Sequence, residues 1–481
     1  MSVQTNVDPG RKQEPVRGTA LPRVKASHSR AIGLWLLACA ALVFVMVVVG
    51  GITRLTQSGL SIVDWQPFMG VIPPLNEAQW QEVFDRYRAF PEYQQLRRGM
   101  SLEEFRFIFF WEYLHRMVAR TIGLVFLVPF GIFLVRGFMN RPMRNRALLL
   151  FGLGAAQGVM GWLMVKSGLV DRPRVSHYRL AAHLSLAFVI FSYAVWLARD
   201  LAVRGRHPAV PGDSLRWLNR GILAVGILLG VQIVWGAFVA GLKAGFMYNT
   251  FPLMAGGIVP PDFLLLTPGI LNLVENPSSV QWIHRLLGTV LLVAALVLPF
   301  RMAGRGLDRE SRVLAGVFAG GVAVQYLLGV VTLLLVVPVS LGVAHQATAM
   351  LLVGVWVAWL HHAARLPGGA VAYRLHSIAS RARASATGPV APSGTSRSCP
   401  PPRDWVRRRT RRTPSKSWMA PASSLSAADP LRRDVAPVLI AALRPWPWPA
   451  RPVPPTPHRR WRRMPRPGSR PGRWWCPERH R

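Results

Sequence analysis

Long apolar stretches punctuate the first three quarters of the chain, at approximately 31–52, 107–135, 147–165, 180–198, 219–240, 281–300, 313–335 and 340–361. Each approaches or exceeds the roughly 20 residues that a helix needs to cross ~30 Å of hydrocarbon. In lipid, every backbone N–H and C=O must be satisfied inside the protein, and a helix does this within the segment. The pattern therefore predicts an all-α polytopic membrane protein with eight transmembrane helices. A formal charge of +37 on 481 residues would point to nucleic acid in a soluble chain. Here a 51% hydrophobic composition and a mean hydropathy of +0.26 make the lipid bilayer the expected partner, with no specific nucleic acid.

Basic residues in short loops set orientation. Arg11, Lys12, Arg17, Arg23, Lys25 and Arg30 in the N-terminal arm, Arg136, Arg141, Arg144 and Arg146 in the next loop on that side, then Arg199, Arg204 and Arg206, then Arg301, Arg305, Arg309 and Arg312, all fall on one side. That side, with both termini, is expected to be cytoplasmic. Segment 166–179 is the exception, carrying Lys166, Arg172, Arg174 and Arg179 on the outer side. The first apolar stretch is too long for the core of a cleavable signal and lacks a small-residue cleavage site, so it reads as a span. Of three cysteines, Cys39 lies in that span and Cys399 and Cys476 near the C-terminus, so no disulfide between outer loops is expected.

After about residue 363 the composition shifts to Arg, Pro, Ser and Ala, and 25 of the 58 Lys and Arg residues follow residue 364. A segment with no periodic apolar face is expected to be disordered. The expected organisation is an arm (1–30), a first four-helix unit (31–198), a linker (199–218), a second four-helix unit (219–362) and the tail (363–481).

The two units resemble each other. EYLHRMVARTIG (112–123) aligns with QWIHRLLGTVLL (281–292), AAQGVMG (155–161) with AVQYLLG (323–329), and AAHLSLA (181–187) with VAHQATA (343–349), in one order. Four spans per unit is an even number, so the expected relation is a parallel repeat about an axis along the membrane normal. Gln-x-x-x-Gly recurs in the third, fifth and seventh spans (Gln157 and Gly161, Gln232 and Gly236, Gln325 and Gly329), where a small residue permits close approach and an amide can bond between helices.

His115, His183, His284 and His345 each lie one or two turns inside the outer end of an even-numbered span. An imidazole in hydrocarbon is normally turned to a partner, a cavity or a metal. Low-spin haem iron takes two axial ligands, so the four histidines supply two pairs, one per unit. A structural zinc site would need four ligands at one point, usually including cysteine. The units differ where Glu112, one helical face from His115, is matched by Gln281. A carboxylate beside an iron ligand can accept a proton or stabilise a developing cation, which marks the first unit as a reaction site and the second as an electron-carrying one. Arg116 and Arg285, directly after their histidines, with Arg54 and Arg120, are candidates to hold haem propionates, and Arg172, Arg174 and Arg179 could cap them from above. A di-haem electron-transfer cytochrome fits the histidines equally well, but not the Glu112 asymmetry. A transporter is disfavoured because no Gly/Pro-broken helix pair appears at matching positions.

Residues 30–362 resemble the haem A synthase family, through GGITRLTQSGLSIVDWQPFMGVIPP (50–74), EYLHRM, HYRLAAHLS, NTFPLMAG (249–256), IHRLLG and HQATA. Without an outer-loop cysteine pair, the chain looks like the proteobacterial and mitochondrial type. The resemblance implies an oxidoreductase that converts a methyl group of haem O to a formyl group through successive hydroxylations, giving haem A for cytochrome oxidase, with water supplying the oxygen. It implies His284 and His345 as ligands of a resident haem b iron, His115 and His183 as ligands of the substrate haem, and Glu112 as the catalytic carboxylate; Arg285 for the resident haem, and Arg116 and Arg54 for the substrate, are offered by the residues alone, with surface solvation or a lipid phosphate as the alternative for each. It also implies contact with the haem O synthase and leaves room for a homo-oligomer.

Overall fold

The computed structural model describes residues 26–63, 71–168, 175–203 and 207–367. The chain divides into two units, 1–398 and 399–481, and the described residues belong to the first. Most of the N-terminal arm, Arg172, Arg174, Arg204, Arg206 and nearly all of the Arg/Pro-rich tail lie outside the described residues.

Among the described residues eight helices are long and apolar enough to cross a membrane. They are α1 (Ala26–Leu55), α4 (Leu102–Val135), α5 (Arg141–Gly168), α6 (His177–Ala202), α7 (Gly212–Gly241), α8 (Pro277–Met302), α9 (Arg309–Leu334) and α10 (Val339–Arg365), with two shorter helices, α2 (Glu77–Arg88) and α3 (Pro91–Leu96), between the first two. Most overrun their apolar stretches at one or both ends. Hydropathy falls where charged residues begin, but the helix continues until it is capped, as Asp308 caps α9 by accepting from the Ser311 amide at 3.1 Å.

The stretch between the first two apolar segments holds two short helices, α2 and α3. Their local signals are polar: Asn76 accepts from Gln79 N at the start of α2, and Pro91 sits in the first turn of α3. A capping box of Ser101 and Glu104 starts α4 five residues ahead of its apolar stretch. That extension lets Phe105, Ile108 and Phe109 close an aromatic cluster with Phe84, Tyr87 and Tyr93 of α2 and α3. His115 thus lies thirteen residues into its helix, ~20 Å along the axis, because α4 begins ahead of its apolar stretch.

α1 packs against α4 and α6, and α5 against α6; likewise α7 packs against α8 and α10, and α9 against α8 and α10. The two groups meet through α1 on α10, α6 on α7 and α6 on α10. One buried core, including Leu36, Cys39, Leu197, Leu218, Phe318 and Trp359, runs through both. Gln57 and Lys243 occupy matching places just past the ends of α1 and α7, both in the left-handed region (φ 54° and 55°). Lys243 Nζ donates to Gln57 Oε1 at 2.8 Å, so matched positions touch each other. At the end remote from the four histidines, buried His361 bonds Asp200 (3.0 Å), which also takes Arg146 (2.8 Å), and buried His362 bonds Asp308 (2.8 Å). Burial opposes the charge on Asp308, but bonds from Ser311 and His362 outweigh it and hold its carboxyl below the ordinary range.

The tightest approach between the groups is at Gly241, where an added Cβ would stand 2.3 Å from His177 Cβ and 2.7 Å from its Cα. Backbone cannot yield as a flexible side chain can, so Gly241→Ala is expected to push α7 off α6. A cost of about 1–3 kcal/mol should appear as a lower unfolding temperature of the detergent-purified protein. An unchanged temperature would mean that the helices separate there at no cost.

Candidate functional site

Each of the four histidines is carried by an even member of the eight spans and lies against a glycine on the span before it. An added Cβ would come within 3.2 Å of His115 Cε1 at Gly50, 3.3 Å of His183 Cε1 at Gly161, 3.1 Å of His284 Cε1 at Gly236 and 2.8 Å of His345 Cε1 at Gly329. Lacking a side chain at these places lets each imidazole come close to the neighbouring helix. Gln157, Gln232 and Gln325 stand one turn from three of those glycines. Their amides donate to the carbonyls of His183 (3.1 Å), His284 (3.1 Å) and His345 (2.9 Å), and the same nitrogens lie 3.3–3.4 Å from the respective Nε2 atoms. The inter-helix amide expected from Gln-x-x-x-Gly is therefore directed at the histidines themselves.

His115 lies close enough to His183 for the two to interact electrostatically, and so does His284 to His345. On all four rings Nδ1 is buried without a hydrogen-bond partner. Among the described residues no cluster of three or more His, Cys, Asp or Glu is suited to a bare metal ion. Two imidazoles per bundle, each with unmet bonding capacity, fit a group that is ligated axially from two sides and fills the space between helices.

The groups differ one turn above these rings. Glu112 is 3% exposed. Its Oε2 accepts from Ser61 Oγ at 2.7 Å and from the Ile62 amide at 2.9 Å, and its Oε1 takes Arg116 Nη2 at 2.6 Å and Nε at 3.1 Å. Arg116 also donates to the Ile62 carbonyl at 2.8 Å. In the second group Gln281 donates to the Tyr248 carbonyl at 3.1 Å, and Arg285 donates to the carbonyls of Tyr248 (2.7 Å) and Thr250 (2.9 Å). Position 112 is thus an acceptor ringed by donors, and position 281 a donor facing a carbonyl. Both carboxylate oxygens of Glu112 accept hydrogen bonds, and the charge-assisted contact with Arg116 fixes the side chain.

The segment that grips Glu112 is itself clamped from α3. Arg97 donates to the carbonyls of Thr56 (3.2 Å) and Gln57 (2.8 Å) and lies 3.7 Å from Glu92. Glu92 is 5% exposed, and burial pushes its carboxyl up to about 7 despite Arg97. Reading the sequence missed both residues, because their importance depends on α3 folding back over the 56–62 segment.

Arg54 donates to the carbonyls of Ala240 and Gly241, both at 3.0 Å, and so caps the end of α7 across the interface. Arg116 and Arg285 are engaged by the segments above their histidines as described. Arg120 Nη1 lies 3.7 Å from Met117 Sδ. Of the three outward arginines only Arg179 falls among the described residues.

The model of the family described as cytochrome oxidase assembly protein matches residues 33–357, which include all four histidines and Glu112. The chain is 46% identical over 341 residues to the heme A synthase of Nitrosospira multiformis, covering 71% of this chain and 95% of that one. It is 47% identical over 346 residues to that of Rhodospirillum centenum (72% and 91%), and 46% over 349 residues to that of Parvibaculum lavamentivorans (73% and 98%). With matches of this extent running through every histidine-bearing helix, the chain belongs to the cytochrome oxidase assembly protein family.

Proposed function

We propose that this multi-pass membrane protein is a haem A synthase, an oxidoreductase that acts on haem O. The observation that carries the reading is the pair of like histidine settings with unlike surroundings: two neighbouring imidazoles in each bundle, but a buried carboxylate over one pair and an amide over the other. His284 and His345 would hold a resident haem b, and His115 and His183 the substrate haem. Held there, haem b would supply a one-electron carrier.

The chain's own residues do the rest. Glu112 places a fixed negative charge beside the substrate pair, where positive charge develops as electrons are withdrawn from a ring methyl. Ser61, the Ile62 amide and Arg116 hold that carboxylate in place, so little reorganisation is needed during reaction. Gln281, uncharged and facing a carbonyl, offers no such stabilisation, which leaves the second bundle to carry electrons. Arg285 would hold a propionate of the resident haem from the segment that carries Tyr248 and Thr250, and Arg116 would serve the first bundle through Glu112. The histidine end faces the outer side of a bacterial plasma membrane, on the basis of the loop charges, and the haem O synthase is the expected donor of substrate.

The decisive experiment is to express the chain beside a source of haem O, extract the haems and separate them by chromatography with mass detection. A haem A synthase yields haem A or the intermediate alcohol. An electron-transfer cytochrome leaves haem O unchanged, and that result from protein carrying both haems would overturn the reading.

A further inference from the structure

The glutamine that braces a histidine is present three times, not four. Counting one turn back from the glycine that lies against each ring gives Gln157, Gln232 and Gln325 for three histidines, but Met46 for His115. Gln157, Gln232 and Gln325 each donate to the histidine they face. A thioether has no N–H and cannot make that bond. His115 keeps the close glycine contact, 3.2 Å from Gly50, without the amide.

A second, independent difference falls on the same helix. In the second group α8 packs closely against α9, whereas their counterparts α4 and α5 make little contact. α5 is the least buried of the eight spans. The ring of helices around the first site is therefore nearly unsealed on one side, and the helix beside the gap is the one that carries His115.

From these two differences we infer that His115 is the exchangeable ligand of the substrate haem. The unbraced imidazole lets go first, and haem enters and leaves laterally through the α4–α5 seam, while His183 stays anchored by Gln157. This rests on the reading of the first bundle as the substrate site. An enzyme that must bind one haem and release another needs one weak axial bond, whereas a resident cofactor is best held by two braced ones. In the second bundle both ligands are braced and the seam is closed.

The test is the rate at which the purified protein, carrying both haems after expression with a haem O source, gives them up to excess apomyoglobin in detergent. Wild type should release in two phases, a fast one for the substrate haem and a slow one for haem b, told apart by mass. Met46→Gln restores the missing amide and should slow the fast phase about 10-fold, the lower scale for outer-shell support of a metal ligand. Met46→Leu, which adds no donor, should release at the wild-type rate, and Gln232→Met should speed the loss of haem b. If Met46→Gln and Met46→Leu behave alike while Gln157→Met accelerates the fast phase, His183 is the labile ligand and the inference fails. A protein that acquires a single haem under these conditions would overturn the first-bundle reading itself, an outcome distinct from two haems released at equal rates, which would overturn only the assignment of His115.

Discussion

Glu112→Gln is expected to lower haem A formation by about 10²-fold or more, the usual scale for losing an electrostatic stabiliser or general base, while haem b stays at its normal level. Haem O or a partly oxidised alcohol should accumulate on the protein. The substitution copies Gln281 and keeps the side-chain size, and one amide oxygen can still accept from Ser61 and Ile62. The geometry adds a consequence invisible in the sequence: Arg116 loses the carboxylate that it grips at 2.6 Å. Breaking one side of a buried pair leaves an uncompensated charge, so the variant could fail through Arg116 alone. A cycle separates the two causes. If the missing negative charge is responsible, Glu112→Gln with Arg116→Gln stays as inactive as Glu112→Gln; if the stranded guanidinium is responsible, the double variant recovers. Near-wild-type haem A from Glu112→Gln at equal protein level would reduce Glu112 to a structural residue.

His284→Ala and His345→Ala should each abolish the low-spin haem b spectrum of the purified protein. Loss of one axial ligand opens the iron, and alanine also removes the ring that fills the space left by Gly236 or Gly329. The first bundle should be less affected, since His284 and His345 are braced by Gln232 and Gln325 within the second group. Haem O should therefore still bind His115 and His183 in these variants but remain unconverted. Retention of the wild-type optical spectrum by both variants would show that this pair does not hold the resident haem. Full conversion without haem b would show that the second bundle is not the electron carrier.

What could be read from the sequence, and what could not, divides along the range of the forces involved. The eight spans were legible because crossing lipid is a requirement on consecutive residues: each stretch from 31–52 to 340–361 must by itself exclude charge and satisfy its backbone. The histidines, their similar placement in even-numbered spans, and the Glu112/Gln281 difference were legible for a related reason. A polar group inside such a stretch stands out against its neighbours. Signals made of caps alone were weaker, so α2, α3 and the first turns of α4 went unread although Asn76, Pro91, Ser101 and Glu104 mark their starts.

Everything that depends on which helix lies beside which was settled only by tertiary packing. That Arg54 caps α7 from 186 residues away follows from α1 and α7 ending side by side. That Arg116 meets Glu112 and the Ile62 carbonyl follows from the 56–62 segment folding down over α4. The Gln-x-x-x-Gly pattern was visible, but not that its amide reaches the histidine of the next span, nor therefore that Met46 leaves His115 unbraced. Hydropathy and helical periodicity act within one turn or one span and are written locally. The partners of a buried side chain are chosen by ridges and grooves that bring together residues dozens to hundreds of positions apart, and a single sequence carries that choice only through the packed fold.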